Sequence, residues 1–320
     1  MSKTKDFYEN QLELVNYLLE AYFKDSGITF EQSTVHKNNV DCNVLIFREE
    51  GKFASPSIYI DNYLSMDKSP EEIVHFIIND VYEAFEIAPD ISDEIFSSEY
   101  IKNNLYATVV NFEKNEDYLK SVPYEKFCDL AIVPRVRIDD CASYVFTHAL
   151  ENQSKLTSEE VIEIAKRNTF SNDNFRLTTM KEVMAELTGA EITPEIEDMV
   201  DNSMSIISTK NKTHGAIAML DKKFMASVSE KFGSDLYILP SSIHEVIVIP
   251  KTPTIYPKDL EDMVRDVNSN ESVLSPQDFL SNHVYEFRAK DKKVVMVLTN
   301  REKLLSNPEK TMAYEKPRRR

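Results

Sequence analysis

Glycine occurs only five times in the 320 residues, at Gly27, Gly51, Gly189, Gly215 and Gly233, and the closest two stand 18 positions apart. A dinucleotide-binding turn needs closely spaced glycines so that backbone can approach a pyrophosphate. A P-loop needs glycines around its phosphate cradle, and a nucleophile elbow needs one on each side of its serine. None of these can be assembled here. The chain also lacks an HExxH helix and an EF-hand loop. What remains open is phosphate or substrate binding through side chains.

At about 100 to 200 residues per domain, the length suits two domains or one large one, enough to bury a core without staples. Hydrophobic residues make up 42% and charged residues 28%, values of a folding rather than a disordered chain. Cys42, Cys128 and Cys141 are an odd, widely spaced set with no CxxC, so they provide neither a disulfide framework nor a zinc knuckle. No window approaches the length of apolar sequence that a bilayer span needs, and the first residues hold no apolar leader, so the cytoplasm is the expected location.

Charge is uneven. The net charge is -17, so general nucleic-acid binding is disfavoured. Residues 1 to 120 hold 10 Lys and Arg against 23 Asp and Glu, and residues 69 to 101 hold nine acids and no base. Residues 303 to 320 carry six basic and two acidic residues and end in Arg318-Arg319-Arg320. This divides the chain into an acidic N-terminal α+β domain (1–120), a C-terminal α+β domain (121–302) and a basic disordered tail (303–320).

Leu12, Val15, Leu19 and Phe23 fall at helical spacing, predicting a helix from Lys5 to Lys24. Ser69-Pro-Glu-Glu72 is a capping box opening a helix to about Ile87, and Thr157 and Thr179 open two more. Thr193-Pro194 opens a short one. Strands are expected at 28–36, 43–47, 57–60, 129–138, 143–149, 204–208, 216–220, 235–239, 245–249, 283–288 and 293–298, with helices at 221–232 and 257–267. Paired strands separated by single helices favour an α+β fold of mixed or antiparallel sheets, helices mainly on one face, in two α/β layers.

The densest polar cluster interrupts two apolar strands. Asp235, Tyr237, Pro240, Ser241, Ser242, His244 and Glu245 fall on or beside one connection, which makes them the candidate binding residues. A serine beside a histidine suits acyl transfer, but adjacent His244 and Glu245 on an extended chain face opposite ways, so an orienting acid must come from elsewhere, such as Asp235 or Asp278. The bland alternative is a serine-capped turn. Weaker candidates are His75 near Glu71, Glu72 and Asp80 as a metal site, Cys141 with His148 as a nucleophile pair, and Asp129, Asp139 and Asp140 as an acidic site. A surface or packed His283 completes the set.

Gly215-Ala-Ile-Ala-Met-Leu220, Leu239-Pro-Ser-Ser-Ile-His-Glu245 and Leu280-Ser-Asn-His-Val-Tyr285 resemble a bacterial family, domain of unknown function 5688. Asn111-Phe-Glu-Lys-Asn115, Val122-Pro-Tyr124, Phe127-Cys-Asp-Leu-Ala-Ile-Val133 and Pro56-Ser-Ile-Tyr-Ile-Asp61 look like its middle and start. The order of proline, serines and histidine before an apolar strand gives a fainter likeness to domain of unknown function 1444. The resemblance implies membership of a group and no activity.

The residues therefore favour a binding or accessory protein without assignable catalysis, presenting the Pro240–Glu245 connection to an unknown protein or small ligand. No metal or cofactor is expected, and the oligomeric state is open. The alternatives are a hydrolase using His244 with Ser241 or Ser242, and an acidic mimic of nucleic acid formed by residues 69–101.

Overall fold

Each of the three capping boxes closes reciprocally. Ser69, Thr157 and Thr179 accept from the backbone N–H groups of Glu72, Glu160 and Glu182, whose carboxylates accept in return from the capping residues' own N–H groups. The computed structural model describes residues 5–52, 55–87, 93–139, 142–171, 174–189 and 204–298. Asp140, Cys141, the Thr193-Pro194 helix and the basic tail lie outside the described residues.

The helices are α1 (Lys5–Phe23), α2 (Ile60–Leu64), α3 (Pro70–Ile87), α4 (Ser98–Asn104), α5 (Glu116–Leu119), α6 (Ala149–Ser154), α7 (Ser158–Ser171), α8 (Met180–Thr188), α9 (Lys222–Phe232) and α10 (Pro257–Asn268). The strands are β1 (Ile28–Lys37), β2 (Val40–Glu49), β3 (Ser57–Tyr59), β4 (Leu105–Asn111), β5 (Glu125–Phe127), β6 (Leu130–Arg137) and β7 (Ser143–Val145). They continue with β8 (Phe175–Thr179), β9 (Ser205–Thr209), β10 (Leu236–Leu239), β11 (Glu245–Pro250), β12 (Tyr285–Arg288) and β13 (Lys293–Met296). The described strands make three antiparallel sheets, and the fold is α+β.

The first sheet runs β1-β2-β3, with α1 and α3 packed on it through Val15, Leu19, Phe47, Ile73 and Ile77. The second is built on β6, which pairs with β4 along its length, with β5 near its start and with β7 near its end. The pairing of β4 with β6 joins residues on either side of position 120. The third sheet has the order β13-β12-β10-β11-β9-β8. Leu105, Ala107 and Val109 of β4 share one hydrophobic cluster with Ile238, Val246 and Val248 of the third sheet. The other face of that sheet is also covered, because Tyr237, Leu239 and Ile249 pack with Leu260 and Val264 of α10.

Two expected strands are corrected. Residues Gly215–Leu220 form a 3-10 helix rather than a strand. The run Ala216-Ile-Ala-Met219 is buried on every side, so it shows no alternation, and a short apolar run of this kind has no period that separates strand from helix. The strand expected at 143–149 stops at Val145, and α6 begins at Ala149. In contrast, β4 follows α4 directly, with no glycine or proline to announce the change, and its sequence is buried along nearly its whole length.

Candidate functional site

Ser242 Oγ accepts from the backbone N–H of His244 at 3.0 Å, the short serine turn expected from the local sequence. The connection is stitched to residues 278–281: Ile243 N–H donates to Asp278 O, Leu280 N–H to Ser241 O, and Ser281 N–H to Pro240 O. Pro240 is buried, and Ser241, Ser242, His244 and Glu245 are half-buried.

This stitching brings Asp278 to the imidazole. His244 Nδ1 accepts from the backbone N–H of His214 at 3.3 Å, which assigns the ring proton to Nε2, and Nε2 donates to Asp278 Oδ1 at 3.1 Å. Both ring nitrogens are therefore engaged, and neither meets a serine hydroxyl. Glu245 opens β11 opposite Ser208 of β9, so its backbone register carries it away from His244. Asp235 lies at the opposite end of β10 from Pro240, where its Oδ1 accepts from Ala289 N–H, and Tyr237 is packed against α10 with Lys251 over its ring.

The sequence reading passed over the residues that complete the site. His214, in a left-handed conformation with φ 50, lies with its ring 5.7 Å from that of His244. Burial and the nearby positive charge of Arg135 press its imidazole down to about 4, so it is neutral at physiological pH. Gly215 follows. Its N–H and Ser208 Oγ both donate to the His244 carbonyl, at 2.9 and 2.7 Å. A Cβ on Gly215 would stand 2.5 Å from that carbonyl oxygen and 2.6 Å from Ser208 Cα, so only glycine permits this approach. The signal available in the sequence was the scarcity of glycine, which makes one outside any turn motif conspicuous.

His214 also lines a cleft of about 510 Å³ between the second and third sheets. Tyr106 of β4, Arg137 at the end of β6, Ser143 of β7, Asn168 of α7 and Phe175 of β8 contribute to its walls. Tyr106 donates its hydroxyl to Ser143 Oγ at 3.0 Å. Asn168 Nδ2 donates to Lys102 O and Leu105 O, which fixes the carboxamide. The first sheet reaches the same neighbourhood from the other side. Asn39, left-handed at the β1–β2 tip, donates to Pro276 O and Phe279 O, and Asn38 donates to Gln277 O. These amides bracket Asp278.

The weaker candidates fall elsewhere. His75 is on the exposed side of α3, and His148 Nδ1 meets Glu151 at 3.0 Å. Asp139 closes its hairpin by accepting from Ala142 N–H. Asp129 accepts from Ser281 Oγ at 2.7 Å and from the Tyr285 hydroxyl, in a buried setting that pushes the phenol well above its usual range. His283 Nε2 stands 4.0 Å from Asp129 Oδ2. Among the described residues, no group of three or more His, Cys, Asp or Glu is placed to hold a metal ion, and no helix is long and apolar enough to cross a membrane.

The segments Phe127–Asp129, Pro240–His244, Gly215–Leu220 and Leu280–Tyr285 thus converge around the junction of the three sheets. No curated protein and no solved structure matches the chain, and the likeness to domain of unknown function 1444 gains no match. The model of the family of unknown function DUF5688 matches residues 7–289, most of the chain, and the protein belongs to that family.

Proposed function

We propose that this protein is a non-catalytic binding protein that takes a small polar ligand in the cleft walled by Tyr106, Arg137, Asn168 and His214. The Pro240–Glu245 connection then acts as the support that holds the cleft's histidine in place. The observation that carries this reading is the cleft itself. Its volume of about 510 Å³ suits a small molecule, and a few fixed polar groups line it. The rings beside it lack the arrangement a hydrolase needs, because His244 spends Nδ1 on a backbone N–H and Nε2 on Asp278. A nucleophile must meet a basic nitrogen, and Ser242 Oγ instead accepts from main chain.

The test uses the full chain with histidine side chains isotopically labelled, titrated with a panel of small polar metabolites and followed by NMR. A ligand of this cleft shifts the His214 and His244 ring signals and leaves His75 and His148 unmoved. Turnover of an ester, peptide or phosphate substrate that is lost in His244→Ala would replace this reading with the hydrolase one.

A further inference from the structure

In a chain of net charge -17, the cleft is lined by an arginine that has no acidic partner among the described residues. Arg48, Arg176, Arg265 and Arg288 each reach a carboxylate, on Glu31, Glu186, Glu261 and Glu286. Arg137 does not. Its guanidinium lies over the Tyr106 ring, 5.1 Å from the centroid, and among the described residues it has no ion pair. Arg135, two positions earlier on β6 and so on the same side of the strand, donates Nε and Nη2 to Ser143 Oγ, each at 3.1 Å, and also has no acidic partner among the described residues. Among the described residues lining the cleft, Asp139 is the one carboxylate, and its Oδ1 is already taken by Ala142 N–H at 2.6 Å.

We propose that the cleft selects an anionic small molecule, one bearing a phosphate or carboxylate group, with Arg137 as the forked donor to that group. This rests on the binding reading above and adds the ligand's charge to it. A guanidinium presents donors in a planar fork that matches both oxyanions, and it is weakly hydrated compared with an ammonium. The Tyr106 ring holds that plane in the cleft by a cation–π contact while leaving the fork's edge for a ligand. Ser143, anchored by Tyr106 and Arg135 together, fixes the second cation behind the first. Burial first, and the charge of Arg135 second, hold the His214 imidazole in its neutral form at this wall. A neutral imidazole there adds a hydrogen-bonding group without adding charge for the anion to be paired with.

The experiment measures binding to the full chain by calorimetry and by the labelled His214 signal. Inorganic phosphate, pyrophosphate and citrate serve as anions, with glucose and uridine as uncharged counterparts. The expected result is saturable binding of at least one anion and none of the uncharged compounds. Affinity should fall at least tenfold in Arg137→Gln and partially in Arg137→Lys, which keeps the charge and loses the fork. Unliganded melting temperatures of the variants show whether they fold. Equal binding by Arg137→Gln, or an uncharged compound that binds as tightly as the anions, overturns the charge assignment while a moving His214 signal keeps the cleft reading. Anion binding that leaves His214 unmoved, or no binding by any of the anions, overturns this proposal. If no small molecule of the wider panel moves His214 either, both readings fall.

Discussion

Ser242-Ile-His244 and Ser281-Asn-His283 are the same local device used twice. In each, the serine Oγ accepts from the histidine's backbone N–H, at 3.0 and 2.9 Å, and in each a distant aspartate approaches the ring. Their surroundings differ. Asp129 is only 14% exposed and already receives the hydroxyls of Ser281 and Tyr285, so His283 stands 4.0 Å off and the carboxylate serves as a buried clamp between the β5–β6 hairpin and the start of β12. Asp278 is 40% exposed and bonds His244 directly, and His244 in turn accepts from the backbone of His214, which lines the cleft. Residue types and spacing alone do not separate a strut from a site; the number of neighbours competing for the carboxylate does.

Removing the buried clamp should have the largest effect. Asp129→Ala leaves the Tyr285 and Ser281 hydroxyls buried without their acceptor, and at roughly 1–3 kcal/mol for each orphaned group the loss is about 2–6 kcal/mol, measured by denaturant unfolding. An unchanged midpoint would mean that water reaches this cluster and that the contrast with Asp278 is false.

The next effect is pH dependence from the site side of the comparison. His214 is held near 4 in the folded chain against an ordinary value of 6.5, so below 6.5 the unfolded chain binds the extra proton more readily. Its contribution is fully present above about 6.5 and is lost as the pH falls toward 4, by roughly 3 kcal/mol at most. Stability measured from pH 7 to 4 should decline less steeply in His214→Gln; equal slopes would remove His214 as the source.

The smallest effect is expected at Asp278. Its pair with His244 is substantially open to solvent, so Asp278→Asn should cost less than about 1 kcal/mol in the same unfolding measurement. A loss as large as that for Asp129→Ala would show that the two serine turns carry equal structural weight.

Legibility followed distance along the chain. The helix starts at Ser69, Thr157 and Thr179 were readable because a capping box is complete within four residues, and the serine turn at Ser242 for the same reason. The carboxylate of the site was readable only as one choice between Asp235 and Asp278, since they compete from opposite ends of β10. His214 was signalled only by the isolated glycine beside it. Its left-handed backbone and its donation to His244 depend on the close approach of Gly215 to β9 and β11, and a lone glycine does not say what it approaches. Tyr106 was missed with β4, whose sequence carries no turn signal after α4, and Arg137 lies on an expected strand whose sequence gave no sign that its guanidinium would line a cleft.

From its own residues the chain determined an α+β fold of mixed or antiparallel sheets with capped helices, and it excluded glycine-built phosphate cradles and elbows. Those outcomes follow from hydrogen bonds and periodicities spanning a few residues, which each segment satisfies by itself. Tertiary structure alone decided which serine turn became a strut and which became part of a site, and it placed two arginines that have no acidic partner among the described residues near a neutral histidine. Such meetings join groups 30 to 156 positions apart, so they arise only when the sheets pack and bury the backbone that carries them.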